Sequence, residues 1–307
     1  MAKQAGYGLT GPIRYGVVGT GGMGAGHCKA VSTLPDFKLS AICDIDPKEA
    51  EAKGTLYGVP YFTSHKDLIA SGLCQAISIA TPHPVRPPIA LDAMAAGIHV
   101  LSEKPLAEKI SAADAMVAAA KQHKVALGIM FQRRLEPAFR RALDLVRAGE
   151  IGRLYRATMI SPEYRSQAYY NSGGWRATWA GEGGGVMMNQ APHIIDLFIQ
   201  LAGLPVKVRG HVETRLHDIE VEDHAEATLT YADGGTGYFY CSTCECGPGQ
   251  MIELFGDKAK LCIRGGKLQV TRFSQPVAEF TRTNTAVWGG PVSKKAIVRL
   301  PKGDTGH

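Results

Sequence analysis

Ile13-Arg14-Tyr15-Gly16-Val17-Val18-Gly19-Thr20-Gly21-Gly22-Met23-Gly24 is the stretch that decides how this chain folds. A strand-like apolar run enters Gly19-x-Gly21-x-x-Gly24, and a helix-like run leaves it. In that order, backbone N–H groups and a helix N-terminus meet a pyrophosphate, because the first amides of a helix lack partners and carry positive charge. Asp44 follows Gly24 by 20 residues, at the end of the next strand-like run. A carboxylate there accepts hydrogen bonds from a ribose hydroxyl and repels a 2′-phosphate, which favours NAD over NADP. The bland alternative is a glycine-rich turn followed by a helix-capping Asp.

Working outward, strand-like segments at 13–19, 37–44, 75–81, 98–102 and 125–131 alternate with helix-like segments at 22–34, 47–57, 86–96 and 111–123. The strands are nearly all apolar, as expected when both faces are covered. This alternation predicts a doubly wound parallel α/β sheet of the Rossmann type over residues 1–131. After residue 131 the pattern changes. A charged helix at 136–148 and a strand at 153–161 precede a Gly/Trp/Tyr-rich loop at 164–185 and an apolar helix at 186–202. Strand-like segments follow at 206–215, 224–231, 236–243, 250–256 and 260–264, separated by turn signals such as Asp233-Gly234-Gly235 and Gly265-Gly266. The expectation is an α+β domain over 132–307, built on a large open-faced mixed or antiparallel sheet. An uncovered sheet face is a common basis for oligomers, so a homodimer or homotetramer is expected.

The chain has 307 residues, 45% of them apolar and 20% charged, enough for two domains with proper cores. The net charge of +6 is mild, and no run of five or more basic residues offers a nucleic-acid footprint. No apolar stretch approaches the roughly 20 residues of a membrane span. The start, Met1 to Gly8, lacks the apolar core of a signal peptide. Seven scattered cysteines, an odd number, suit a reducing cytoplasm better than a disulfide framework.

Three further motifs carry chemistry. Thr81-Pro82-His83-Pro84 follows a strand at the edge where ligands bind, and Thr81 offers a hydroxyl and an N–H near the cofactor. Glu103-Lys104-Pro105 ends the next strand. A lone Lys is usually a solvated charge, but one partly desolvated beside a cofactor can hydrogen-bond a substrate hydroxyl. Gly183-Gly184-Gly185 leads into an apolar run bearing Asn189, His193 and Asp196. Asn189 and His193 are four apart, which on one helix places them on one face.

Together these residues resemble the Gfo/Idh/MocA oxidoreductase family, which includes inositol and glucose–fructose oxidoreductases. The likeness rests on Gly19-Thr20-Gly21-Gly22-Met23-Gly24, Asp44, Thr81-Pro82, Glu103-Lys104-Pro105 and the Gly-Gly-Gly…His193-x-x-Asp196 segment, and runs to about Lys258. It implies an NAD(P)-dependent dehydrogenase acting on the CH–OH group of a sugar, sugar derivative or cyclitol. His193 would take the hydroxyl proton while the hydride goes to nicotinamide, and Lys104 would hydrogen-bond the same oxygen. Asn189 stands where many members have Asp, and Arg86 where many have His. Asn cannot carry a proton, although it can orient His193 or bind a hydroxyl. Ile45, His83 and Glu103 join the cofactor-binding set. Trp175-Arg176 resembles a segment that closes over nicotinamide and substrate. Tyr164, Arg165 and Asn171 are candidates for sugar hydroxyls, and Arg134 with Pro137 matches a family Arg-x-x-Pro. The alternatives are a tightly NAD-bound glycosidase or sugar–sugar oxidoreductase working through transient oxidation, and a non-catalytic dinucleotide-binding regulator.

No metal is expected. Cys241-x-x-Cys244-x-Cys246 lacks a second pair and lies in a strand-like segment, where alternating buried small side chains explain it. His217-Asp218-Ile219-Glu220-Val221-Glu222-Asp223-His224 reads as a loop and strand edge at a sheet or subunit boundary. The final Pro301–His307 resembles the opening of a family segment that usually continues, so a shortened C-terminus is expected.

Overall fold

The computed structural model describes residues 11–247 and 249–301. The expectations placed on the first eight residues and on 302–307 lie outside the described residues. The chain forms two compact units. The first holds the described residues up to Met130 together with Ala180–Gly183, and the second holds Phe131–Trp179 and the described residues from Gly184 onward.

The first unit is laid down as β1 (Ile13–Val18), α1 (Gly22–Thr33), β2 (Phe37–Cys43), α2 (Pro47–Tyr57), β3 (Tyr61–Phe62), α3 (His65–Ala70), β4 (Ala76–Ile79), α4 (Arg86–Ala95), β5 (His99–Ser102), α5 (Ile110–His123) and β6 (Leu127–Ile129). The strand order is β3-β2-β1-β4-β5-β6, with every pairing parallel. This is the doubly wound arrangement expected from the alternating pattern. Val17, Ile42, Ile77 and Ile79 are fully buried, as strands covered on both faces require. The order reverses between β1 and β4, the kind of switch point at whose strand carboxyl ends doubly wound sheets bind ligands. The sequence did not announce β3 and α3, which are too short to show a hydrophobic period.

The second unit contains α6 (Pro137–Arg147), β7 (Leu154–Pro162), α7 (Gln167–Tyr170), α8 (Pro192–Ala202), β8 (Lys207–Glu213), β9 (His224–Thr230), β10 (Thr236–Ser242), β11 (Met251–Gly256), β12 (Ala259–Arg264), β13 (Lys267–Phe273), α9 (Val277–Thr283) and β14 (Ser293–Ile297). Its sheet runs β14-β13-β12-β11-β7-β10-β9-β8 and is mixed, with β7 and β10 parallel and the other pairs antiparallel. Ala138, Phe139, Ala142 and Leu145 of α6 and Ile194, Leu197, Phe198 and Leu201 of α8 are buried at helical spacing. They pack with Ala157, Met159, Phe239, Leu254, Leu261 and Val270, alternate residues from one face of the sheet. The strand-like pattern in the sequence ends at 264, and β13, α9 and β14 were not expected. Every residue of β14 is exposed, so it carries no apolar face for a pattern to reveal.

The apolar helix expected at 186–202 begins only at Pro192. Residues 186–191 are turns. Glu222 holds the start of this segment. Its carboxylate accepts N–H bonds from Gly185 at 2.9 Å and Met187 at 3.0 Å, and its carbonyl accepts the Val186 N–H at 2.8 Å. Those amides would lead a helix and lack helical acceptors in any case; it is Pro192, with no N–H to give the Met188 carbonyl, that keeps the regular helix from starting earlier, and it suits a first helical turn for the same reason. Asn189 and His193 therefore do not share a helix face. Among the described residues, no helix is long and apolar enough to cross a membrane.

Candidate active site

The glycine turn after β1 is shaped by close contacts. A Cβ on Gly24 would lie 1.8 Å from the Gly19 carbonyl oxygen, and Gly19 itself has φ +83°. Gly21 and Gly22 face open space. Gly22, Met23 and Gly24 open α1, so their amides lack helical acceptors and point outward. Met23 and Ile45 are exposed at this edge.

Thr20 is fully buried and donates both its N–H (2.7 Å) and its hydroxyl (3.0 Å) to one oxygen of Asp44. The other Asp44 oxygen accepts the Asp46 N–H at 3.1 Å. Asp44 is thus fixed to the glycine turn while its carboxylate keeps further lone pairs. Across the switch point, the Thr81 hydroxyl oxygen is buried with no hydrogen-bond partner among the described residues. Free helix-start amides, an anchored carboxylate and an orphaned hydroxyl fit a dinucleotide. Asp44→Asn keeps the Thr20 acceptor and removes the charge. It is expected to weaken NAD binding about 10-fold or more, since a charged hydrogen bond contributes roughly 1.5–3 kcal/mol, and to improve NADP binding. Titration with both dinucleotides checks this, and an unchanged NAD-to-NADP ratio would count against the role of Asp44.

Lys104 sits in the turn that leaves β5. Glu103 beside it is buried, and its carboxylate meets His27 Nε2 at 3.0 Å and accepts the Lys104 N–H at 3.2 Å. His27 Nδ1 meets the Ser78 hydroxyl at 3.1 Å, which donates to Tyr15 at 2.9 Å. Burial alone would raise the Glu103 pKa, but His27, the Lys104 amide and Arg86 outweigh it and hold the group below its ordinary range. Glu103, expected at the cofactor, therefore anchors the Lys104 turn to α1. His83, placed with the cofactor-binding set, is buried, and its Nδ1 lies 2.8 Å from the Glu182 carbonyl oxygen of the same unit.

The remaining candidates lie in the second unit. His193 is the second residue of α8, with its ring edge-on to Phe131 at 5.8 Å. Asp196 meets Arg134 Nε at 2.7 Å, and its other oxygen takes a second guanidinium N–H. This bidentate pair gives Arg134 and Asp196 one another as partners.

Tyr169, unnoticed in the sequence, gathers several of the candidates. Its hydroxyl oxygen accepts N–H bonds from Arg176 at 2.9 Å, Gln190 at 3.2 Å and Asn189 at 3.4 Å. The guanidinium groups of Arg165 and Arg176 lie over its ring at 5.1 and 4.7 Å, and Arg176 also stacks on Trp175 at 4.6 Å. Arg165 is tied to Glu163, Asn171 accepts from Gln167 at 3.0 Å, and Tyr164 is exposed. The Tyr169-Tyr170 doublet inside the glycine-rich loop was the available signal.

In the acidic metal-like cluster, hydrogen bonds within the protein occupy the donor atoms. Asp223 is fully buried and accepts N–H bonds from Arg215, Leu216 and His217, with the His217 ring Nδ1 2.9 Å away. His217 Nε2 is taken by the Arg165 carbonyl at 2.8 Å. His217, Asp223 and Cys244 lie within 4.8 Å of one another, but both imidazole nitrogens are already engaged. Burial pushes the Cys244 thiol up to about 11 and the Cys241 thiol up to about 12, which disfavours the thiolate a metal needs. Only Cys241 lies within β10; Cys244 and Cys246 follow the strand, so alternation along a strand does not explain all three.

Burial would raise Asp223, but the backbone N–H bonds and His217 outweigh it and hold the carboxyl well below its ordinary 3.8. A depressed folded-state pKa contributes stability above the unfolded value, so this contribution is full above pH about 4 and fades as pH falls further. Asp223→Ala is expected to cost about 3 kcal/mol or more, since it strands buried N–H groups and His217. Urea denaturation at neutral and acid pH checks both, the variant losing less than the wild type on acidification.

Comparison with known proteins bears on the fold and the cofactor. Residues 13–131 match a family described as oxidoreductase family, NAD-binding Rossmann fold, and residues 139–262 match the GFO/IDH/MocA C-terminal domain. Uncharacterized oxidoreductase YrbE of Bacillus subtilis is 28% identical over 259 residues, 81% of this chain and 73% of that protein. Inositol 2-dehydrogenase of Rubrobacter xylanophilus is 35% identical over 146 residues, which is 46% of this chain and only 41% of that protein. The WlbA dehydrogenase of Bordetella pertussis, solved with NADH and UDP-GlcNAcA, is 30% identical with a TM-score of 0.81, covering 86% of this chain and 84% of that one.

Proposed function

The chain belongs to the Gfo/Idh/MocA oxidoreductase family and has its NAD-binding domain, and from that premise we propose that it oxidises a secondary alcohol of a sugar, sugar derivative or cyclitol. The reading is carried by the Lys104 turn. A lysine is held at the carboxyl end of β5 by buried partners, on the sheet edge where doubly wound folds bind ligands. A merely solvated lysine needs no such anchoring.

Bound NAD supplies the hydride acceptor. Gly22, Met23 and Gly24 would hold its pyrophosphate, Asp44 the ribose, and Thr81 would satisfy its orphaned hydroxyl there. His193 would take the proton of the substrate hydroxyl, and Lys104 would hydrogen-bond the same oxygen, so that the carbinol carbon becomes a carbonyl as the hydride departs. Asn189 cannot join a proton relay. Its N–H bond to Tyr169 supports a part in ordering the loop of Arg165, Trp175 and Arg176. The named activities of the inositol dehydrogenase and the ligands of WlbA support a cyclitol or sugar-derivative substrate. We also propose a homodimer or homotetramer in the cytoplasm, assembled through the sheet of the second unit.

The test is a screen of sugars, uronates and cyclitols with NAD and with NADP, following reduced nicotinamide. Formation of NADH with one or more polyols is expected. Turnover of a sugar with no free NADH would overturn simple dehydrogenation in favour of transient oxidation on a retained cofactor.

A further inference from the structure

Arg86 opens α4, just after the turn that follows β4, and the residue is 6% exposed. Burying a guanidinium is costly unless every N–H finds an acceptor and a counter-charge is near. Burial pulls its pKa down to about 10, with Glu103 opposing the fall.

The acceptors are backbone carbonyls from two separate turns. Arg86 Nε donates to Thr81 O at 2.7 Å. Arg86 Nη1 donates to Lys104 O at 2.7 Å and lies within reach of Pro105 O at 3.0 Å and Glu103 O at 3.2 Å. Three of the four carbonyls thus belong to the turn that carries Lys104. On its other side, the Lys104 N–H is held by Glu103, itself anchored on His27. The Lys104 backbone is therefore gripped at both its N–H and its C=O.

We propose that Arg86 is a positioning residue for Lys104: its guanidinium ties the Glu103-Lys104-Pro105 turn to the Thr81 turn and so fixes where the lysine amine stands. The planar fork suits this task. A lysine offers a point charge, and a neutral histidine one N–H, so neither can serve both turns as the guanidinium does. The assignment rests on the reading that Lys104 hydrogen-bonds the reacting oxygen. Misplacing such a group by about 1 Å costs on the order of 100-fold in rate.

The experiment compares Arg86→Ala, Arg86→Lys and Lys104→Ala, alone and combined, in the full chain. Arg86→Ala is expected to lower kcat about 100-fold with KM for the alcohol nearly unchanged, and NAD affinity, to which the Thr81 turn contributes, should fall far less than kcat. Added to Lys104→Ala, it should cost little more, because both changes disable one group. Guanidinium ion at low concentration should restore part of the lost turnover in Arg86→Ala and none in Lys104→Ala. Should Arg86→Ala fail to fold, Arg86→Lys carries the test. A folded Arg86 variant with wild-type kcat, or a loss that simply adds to that of Lys104→Ala, overturns the proposal.

Wild-type kcat in Lys104→Ala would instead sink the catalytic reading itself. A second measurement needs neither substrate nor cofactor. Hydrogen exchange at the amides of Glu103, Lys104 and Leu106 should quicken in the Arg86 variants while amides of α1 keep their protection. Unaltered protection of the turn overturns the proposal even where no substrate is known.

Discussion

Lys104→Ala and His193→Ala are each expected to lower turnover by about 10²–10⁴-fold while NAD binding survives. The magnitude follows from the roles. His193 would accept a proton from an alcohol that is far too weak an acid to lose it unaided at neutral pH, and Lys104 would stabilise the developing alkoxide. Neither residue belongs to the glycine turn or to the Thr20–Asp44 pair, so dinucleotide affinity should persist. Loss in kcat with an intact NAD titration is the expected signature, and the double variant should be little worse than either single one. His193→Gln and Lys104→Gln separate chemistry from packing, since Gln preserves bulk and polarity but cannot exchange a proton. Wild-type turnover in both alanine variants would remove the assigned roles and leave a binding protein as the better account.

Gly24→Ala should have the other large effect, on the first unit itself. The added Cβ would lie 1.8 Å from the Gly19 oxygen and 2.8 Å from its carbon, both backbone atoms that cannot swing aside. Accommodating the methyl means separating α1 from the β1 turn, which moves the helix-start amides away from any pyrophosphate. Overpacking of this severity costs about 3 kcal/mol or more, and NAD affinity should fall at least about 100-fold. Gly21 and Gly22, with open space around them, are the internal controls for steric fit. Thermal melting with and without NAD checks the claim; a variant that melts and binds like the wild type refutes it.

The first unit was largely legible because its cues are local. An apolar run, a glycine turn and a helix repeat at short range in sequence, and parallel strands buried on both faces reveal themselves as unbroken apolar runs. Asp44 was legible too, since its spacing from Gly24 follows from the length of one helix and one strand. The short β3 and α3, and the fully exposed β14, left no such trace.

By itself, the sequence determined the doubly wound unit, the acid after β2 and the lysine at the end of β5. Each of these depends on neighbours within one strand–helix unit. Only the tertiary structure decided that the Asn189 segment is a set of turns, that Asp196 belongs to Arg134, and that Arg86 and His27 brace the Lys104 turn. Glu222 reaches Gly185 across 37 residues, and His27 reaches Glu103 across 76. The physical reason is the buried polar group. It must find a partner wherever the fold supplies one, and the partner's place in the chain obeys no periodicity.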